Sequence, residues 1–341
     1  MKAVRYHGPN QTFRLEDVPE PALRDDEVLV RIHSAGMCHT ELHFESGLLN
    51  LGVAPIIMGH EIAGTIEATG ATARDRKKGE RVLVYYYAGC GTCEWCRRGD
   101  ENLCGNLRAE YGFFQDGGYA EVIAVPARNA IPLPESLSFD EAAPIGCAVA
   151  TGVHAANLAH LREGDVAVVY GIGAVGFGLV QIAKLRGAKV FGVGRTDEKL
   201  DVARSLGADH VINSADTRDV AAVVRQLTGG RGADVVFDLV GTSATMSSAV
   251  AMVAKRGRII FIGYSEDPFT VHPIQLVITE ATVTGSVGNT RAELEEAVAL
   301  VGDGRVKTIV DSTLPLNRWE DGLESLRAGK VKGRVILHPQ E

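Results

Sequence analysis

The rhythm of apolar and polar positions changes partway along the 341 residues. Through roughly the first 150, short apolar runs at 28–32, 62–67 and 81–85 are separated by Gly, Pro and Asp turns, the pattern of β structure. From about Leu161 the pattern alternates. Runs at 166–170, 189–193, 210–212, 234–239, 258–262 and 282–287 read as six strands. Helical periodicity falls between most of them, at 196–206, 217–227 and 243–254. Such alternation predicts an α/β chain whose second domain is a doubly wound, parallel, six-stranded sheet with helices on both faces. The last 50 or so residues open with an amphipathic helix at 291–301 and close with a strand at 333–338. This tail is expected to return to the first domain.

Two domains are natural at this length. Composition is that of an ordinary globular protein, and the net charge of −8 argues against a basic face for nucleic acid. Residues 166–183 lack any charge, which invites a membrane reading. Gly171, Gly173, Gly176 and Gly178 interrupt them, and strand, turn and helix fit better. The opening MKAVRYHGPN holds no apolar leader segment, so a cytoplasmic location is expected.

Candidate chemistry starts with six cysteines. Four of them, Cys90, Cys93, Cys96 and Cys104, follow the spacing C-x2-C-x2-C-x7-C. In a cytosolic chain this spacing predicts a closed, structural zinc site; paired disulfides in a secreted domain are the alternative. Gly89, Gly91 and Gly99 supply backbone freedom, and Glu94, Arg97, Arg98, Asp100 and Glu101 predict an exposed lobe over about 88–106.

The run Gly171-Ile-Gly173-Ala174-Val175-Gly176 follows an apolar strand and opens a helix, the context in which G-x-G-x-x-G predicts a dinucleotide site. The first glycine makes the turn, the second admits the pyrophosphate, the third permits close packing, and the helix N-terminus faces the phosphates. At the end of the next strand an NAD site ordinarily carries Asp or Glu. Here stand Gly194, Arg195 and Thr196. A missing carboxylate and an available guanidinium favour a 2′-phosphate, so NADP(H) is expected over NAD(H). Arg195 stacked on adenine or facing solvent is the other reading.

Cys38, His60 and Cys147 are far apart in sequence, yet two thiolates and an imidazole would make a catalytic zinc site with one open position. The chain resembles the zinc-dependent medium-chain alcohol dehydrogenases over essentially its whole length. The resemblance is carried by Cys38-His-Thr-Glu-Leu-His43, Gly59-His-Glu-x2-Gly64, the four-cysteine lobe, Cys147 and the glycine run. It implies a GroES-like β-rich catalytic domain over 1–150 and 288–341, a Rossmann domain over 151–287, and an active site in the cleft between them.

The resemblance also implies roles. Cys38, His60 and Cys147 would hold the catalytic zinc, with Glu61 beside it. Glu41 would accept the other ring N–H of His60. Thr40 and His43 would carry the proton outward by way of the cofactor ribose. His39 and Arg291 would approach the pyrophosphate, and Thr151 the nicotinamide. Two zinc ions per chain are expected. Leu49 and Tyr85 align with pocket positions, although Tyr85, Tyr86 and Tyr87 also read as strand packing. The implied reaction is reversible oxidation of a primary or secondary alcohol to an aldehyde or ketone, in a homotetramer or homodimer. Polyol or thiol-conjugate oxidation, a zinc-free quinone or enoyl reductase, and a non-catalytic nucleotide-binding protein are the alternatives.

Overall fold

The computed structural model describes all 341 residues, which separate into two compact units. One comprises Met1–Cys147 with Asn289–Glu341, the other Ala148–Gly288.

The first unit is built on the long strand Glu27–Met37. Its inward positions, Val28, Val30 and Ile32, are fully buried and alternate with more exposed ones, the period of a half-buried strand. Burying such side chains stabilises by about 1.5–3 kcal/mol each. The strand pairs antiparallel with Glu61–Thr69, Val122–Pro126 and the last strand, Arg334–His338. Arg81–Val84 and Ala130–Pro132 extend the same sheet on one side, and Val310–Pro315 on the other. The C-terminal segment thus supplies two strands to the sheet that carries Cys38 and His60.

The second unit is a six-stranded parallel sheet. Its spatial order is His210–Asn213, Lys189–Gly194, Val166–Tyr170, Ala233–Asp238, Val253–Phe261 and Thr282–Gly285. Strand order reverses at Val166–Tyr170, so the crossovers on its two sides lie on opposite faces. One face packs Val168, Phe191, Val193, Val236 and Ile259 against Val220 and Val224 of one helix and Ala249, Val250 and Met252 of another. No helix is long and apolar enough to cross a membrane; the uncharged 166–183 stretch is a strand, a turn and part of the helix Ala174–Leu185.

Boundaries differ from the sequence expectation where a side chain or a register decides them. The helix expected from residue 217 begins at Val220, because Asp219 caps it, its Oδ1 accepting the Ala222 N–H at 2.9 Å. The helix expected to run to 254 stops at Met252, because Val253 already pairs with Ala233 in the sheet. The final strand expected at 282–287 ends at Gly285.

Candidate active site

Cys38 directly follows the strand Glu27–Met37, and His60 directly precedes Glu61–Thr69. Gly36 lies opposite Glu61 in their antiparallel register, which brings the two ends together. Gly59 has φ +93°, and a Cβ there would fall 2.4 Å from the Tyr119 ring, so only glycine lets the chain deliver His60. Cys147 follows the short turn Ala143–Gly146, which packs on the strand carrying Glu61. One ligand atom from each of Cys38, His60, Glu61 and Cys147 lies within 4.8 Å of the others.

Cys38, His60 and Glu61 are buried and Cys147 is half-buried, so these ionisable groups act on one another at short range. The hydrogen bond from Cys147, then the charges of Arg334 and His60, hold the Cys38 thiol well below its usual range despite burial. Cys147 is raised by the same shared proton and by burial. Burial alone would lower His60, but the Cys38 thiolate and the carboxylates of Glu41 and Glu61 raise it to about 9. Burial, with the Cys38 charge behind it, raises Glu41 to about 7. Glu61 also rises to about 7 through burial, against the pull of Arg334. Arg334 Nη2 stands 2.6 Å from Glu61 Oε1, and Nη1 donates to Met37 O at 3.2 Å.

Several buried polar atoms here have no hydrogen-bond partner: Glu41 Oε1, His60 Nδ1 and Glu61 Oε2, while Glu61 Oε1 has only its ion pair with Arg334. The donor set of two thiols and an imidazole, with a carboxylate restrained by arginine, fits zinc with one position left open. Glu41 Oε2 accepts the Cys38 N–H at 2.7 Å. Its other oxygen lies 4.0 Å from His60 Nδ1, outside hydrogen-bond range. Glu41 therefore fixes the Cys38 backbone directly and faces the ring of His60 without bonding to it.

The helix Thr40–Ser46 starts two residues after Cys38. Thr40 Oγ1 donates to Cys38 Sγ at 3.5 Å, and His43, one turn on, is half-buried with its pKa lowered, first by burial. His39 is the N-cap residue of this helix. Leu49 is half-buried, and its N–H bonds to His43 O. Tyr85 is buried, and its hydroxyl donates to Asn289 O at 3.0 Å. The ring set against His60 belongs to Tyr86, at 5.3 Å between centroids, with Phe113 at 5.1 Å.

In the cysteine lobe all four thiols are free. Cys90 Sγ and Cys96 Sγ are 3.9 Å apart, and Cys93 Sγ and Cys104 Sγ 3.8 Å. That is far beyond a disulfide bond and close to the edge, about 3.8 Å, of a tetrahedron with zinc–sulfur bonds of about 2.3 Å. Glu94, Arg97 and Arg98 are exposed as expected and Asp100 is half-buried, but Glu101 is buried, against the sequence expectation. Glu101 is buried because its carboxylate accepts the Gly89 N–H at 2.9 Å and pairs with Arg128 at 3.2 Å, tying the lobe down.

In the second unit the three glycines are constrained differently. Gly171 has φ +111°. A Cβ on Gly176 would lie 2.3 Å from Gly171 O, whereas one on Gly173 would meet nothing within 4 Å. Ala174 and Val175 open the helix Ala174–Leu185, whose N-cap, Gly173, offers no side-chain acceptor to the free N–H groups. Gly194 is buried, and a Cβ there would approach Leu200 and Ile172 at 3.2–3.3 Å. Arg195 and Thr196 are exposed, and Arg195 makes no ion pair. Thr151 is buried in the helix Ala150–Leu158. In the first unit, Arg291 is exposed at the start of Arg291–Gly302, capped by Thr290 and Glu293.

Residues 24–135 match the alcohol dehydrogenase GroES-like domain, and 174–303 match the zinc-binding dehydrogenase family. An alcohol dehydrogenase of Geobacillus stearothermophilus is 35% identical over 99% of each chain. The chain belongs to the zinc-dependent medium-chain alcohol dehydrogenase family. A NAD-dependent alcohol dehydrogenase of Sulfurisphaera tokodaii is 34% identical, covering 99% of this dehydrogenase and 100% of the relative. The solved alcohol dehydrogenase of Aeropyrum pernix superposes with a TM-score of 0.93 at 35% identity, over 99% and 100% of the two chains. The fold is thus that of an oxidoreductase, GroES-like in one unit and Rossmann in the other.

Sequence reasoning did not find four residues of this dehydrogenase's site. Arg334 sits 273 positions from its partner Glu61 (334 minus 61) and has no local motif. Asn289 accepts from Tyr85 and donates to Gly146 O at 3.1 Å, bracing the turn before Cys147. Tyr86 and Phe113 line His60, and a run of three consecutive tyrosines gives no sign of which one meets the His60 ring.

Proposed function

We propose that the chain catalyses reversible oxidation of a primary or secondary alcohol to the aldehyde or ketone, with hydride passing to NAD(P). One observation carries the reading: Cys38, His60 and half-buried Cys147 converge with their ligand atoms within 4.8 Å of one another, beside the unpartnered Glu41 Oε1 and His60 Nδ1. Zinc held by these three residues would supply Lewis acidity, easing loss of the hydroxyl proton or polarising a carbonyl. Hydride chemistry belongs to the nicotinamide.

The chain's own groups then have distinct tasks. Arg334 restrains Glu61, so the carboxylate stands ready beside the ligands. Glu41 holds the Cys38 backbone and faces the ring of His60. The hydroxyl of Thr40 takes up the substrate proton, and His43 passes it outward. His39 and Arg291 reach the pyrophosphate, Thr151 the nicotinamide, and Leu49 and Tyr85 belong to the pocket wall.

A second zinc in the cysteine lobe completes the set, held by Cys90, Cys93, Cys96 and Cys104. NADP(H) is the preferred cofactor in this reading. The crowding at Gly194 disfavours a carboxylate there, and Arg195 is exposed and unpaired, as a phosphate ligand needs to be. The Sulfurisphaera relative is named NAD-dependent, which makes the cofactor comparison informative. Self-association into a homodimer or homotetramer is supported by the sheet-edge strand Thr282–Gly285 and by exposed Ile274, Val277 and Ile278 near it. Six free cysteines suit a cytoplasmic setting.

The test combines metal analysis with reduced-cofactor absorbance across a panel of alcohols. Two zinc per chain, alcohol-dependent turnover and its loss in Cys38→Ala are expected. Full turnover of Cys38→Ala in metal-free buffer defeats the reading. Equal or faster rates with NAD, and no loss with NADP in Arg195→Ala, defeat the cofactor preference alone.

A further inference from the structure

One carboxylate near His60 has no task in the scheme above. Glu110 lies on the short strand Ala109–Glu110, directly opposite Tyr87. Its backbone is fixed on every side. Its N–H donates to Gln115 Oε1 at 2.8 Å, and its carbonyl accepts the N–H groups of Phe113, Phe114 and Gln115. The following Tyr111 N–H bonds to Tyr86 O at 3.0 Å. The side chain thus starts from a rigid turn that also carries Phe113, the ring against His60.

The carboxylate itself is half-buried and makes no hydrogen bond or ion pair. The nearest arginine along the chain, Arg108, is taken by Asp26 and Glu27. Its surroundings are aromatic: the Tyr86 and Tyr87 rings are 4.3 Å apart, and Tyr86 stacks on Phe113 at 5.9 Å. Burial pushes the carboxyl up to about 7, opposed only by the charge of His60. A carboxylate partly withdrawn from water and given no protein donor carries a desolvation cost that a donor brought by the substrate would offset. Rigid placement of such a group beside a reaction centre makes sense when the partner arrives with the substrate.

We propose that Glu110 determines substrate specificity by accepting a hydrogen bond from an N–H or O–H donor on the alcohol being oxidised. This rests on the alcohol-oxidation reading and deepens it: the preferred substrate is an amino alcohol or a diol, not a plain alkyl alcohol. The aromatic rings of Tyr86, Tyr87 and Phe113 suit the alkyl chain between the two polar ends, and tolerate an ammonium through their π faces. A site built to bond a polar substrate group rejects the analogue that lacks it, because its own polar group is then left unpaired.

The test uses the zinc-loaded full chain and three alcohols of matched length: n-pentanol, the terminal butanediol and the ω-aminobutanol. The readout is kcat/KM for each donor alcohol divided by that for pentanol. In wild type at least one ratio exceeds one. In Glu110→Leu that ratio falls by about tenfold or more. In Glu110→Gln a diol preference survives and an ammonium preference is lost, which tells the two donors apart. Ratios in the variants within about twofold of wild type overturn the proposal, since a merely structural role moves all three substrates alike. Should the variants not fold, inhibition of wild-type pentanol oxidation by n-butylammonium, by butanol and by n-pentane decides. Equal inhibition by all three overturns the proposal. Wild type that oxidises none of the alcohols sinks the oxidation reading, and this inference with it; active wild type with unchanged ratios sinks the inference alone.

Discussion

Arg334 Nη2 lies 2.6 Å from Glu61 Oε1, with the two side chains 4% and 0% exposed. The two residues come from strands that both pair with Glu27–Met37, so the ion pair fastens the end of the chain to the strand that follows His60. Removing one partner from a buried pair leaves the other charge uncompensated, which costs about 3–5 kcal/mol. Arg334→Met is therefore expected to lower stability by about that much in urea denaturation. Adding Glu61→Gln should recover much of it, because no buried charge is then left alone. A single-variant cost within about 1 kcal/mol would place the pair among weak surface bridges.

The cysteine lobe makes a separate prediction. Arg97 and Arg98 are exposed on the short helix between Cys93 and Gly99, and Gly99 at its end has φ +91°. The helix has no buried residue, so the thiolates and the Glu101–Arg128 tie hold it in place. Cys104→Ser should lose one zinc per chain and become sensitive to trypsin at these arginines. Zinc content and a digestion time course check this. An intact lobe in zinc-depleted Cys104→Ser would mean that the tie alone organises it.

Periodicity and spacing made much of this molecule legible because those signals are local. The six parallel strands announce themselves as apolar runs, and the glycine run and four-cysteine spacing are confined to short segments. Contacts made across the chain were not legible. The helix Trp319–Arg327 and the strand Val310–Pro315 were unread, the strand being a half-exposed VDSTLP whose residue types do not alternate apolar and polar. Tyr86 and Tyr85 are chemically identical neighbours; only the turn toward Phe113 on one side and Asn289 on the other distinguishes them. Arg334 and Glu110 draw their meaning from what surrounds them in space.

An acid-side prediction concerns Asp209, whose oxygens accept from Lys184 Nζ at 2.7 Å and the Val190 N–H at 2.8 Å. Burial raises its pKa, but these bonds and the Lys184 charge outweigh it, and the net shift is downward. A depressed folded pKa means the stabilisation is present above the unfolded value, about 3.9, and is lost as pH falls through the folded one. With the pair 45% and 30% exposed, solvent screens it, and Asp209→Asn should cost roughly 0.2–1 kcal/mol at neutral pH. The cost should shrink as pH falls below the unfolded value and through the folded one, where the wild-type carboxyl becomes protonated as well. Denaturation midpoints across pH check this; a constant difference would mean that the charge is irrelevant.

The glycine run separates folding from cofactor binding within a few residues. A Cβ at 176 would sit 2.3 Å from Gly171 O, a backbone atom that cannot move aside without opening the turn. Gly176→Ala is thus expected to lower the melting temperature, by an overpacking cost of about 1–3 kcal/mol. At 173 the same methyl would meet nothing within 4 Å, and its φ of −145° is open to any residue. Gly173→Ala should therefore fold as well as wild type. If the helix Ala174–Leu185 presents its N-terminal amides to a pyrophosphate, however, that methyl stands where the phosphates must approach. Nucleotide affinity should fall in Gly173→Ala with the unfolding midpoint unchanged, measured by calorimetric titration with NADP and by thermal melting. Unaltered affinity would move the phosphate away from this turn, whatever the other glycines do for the fold.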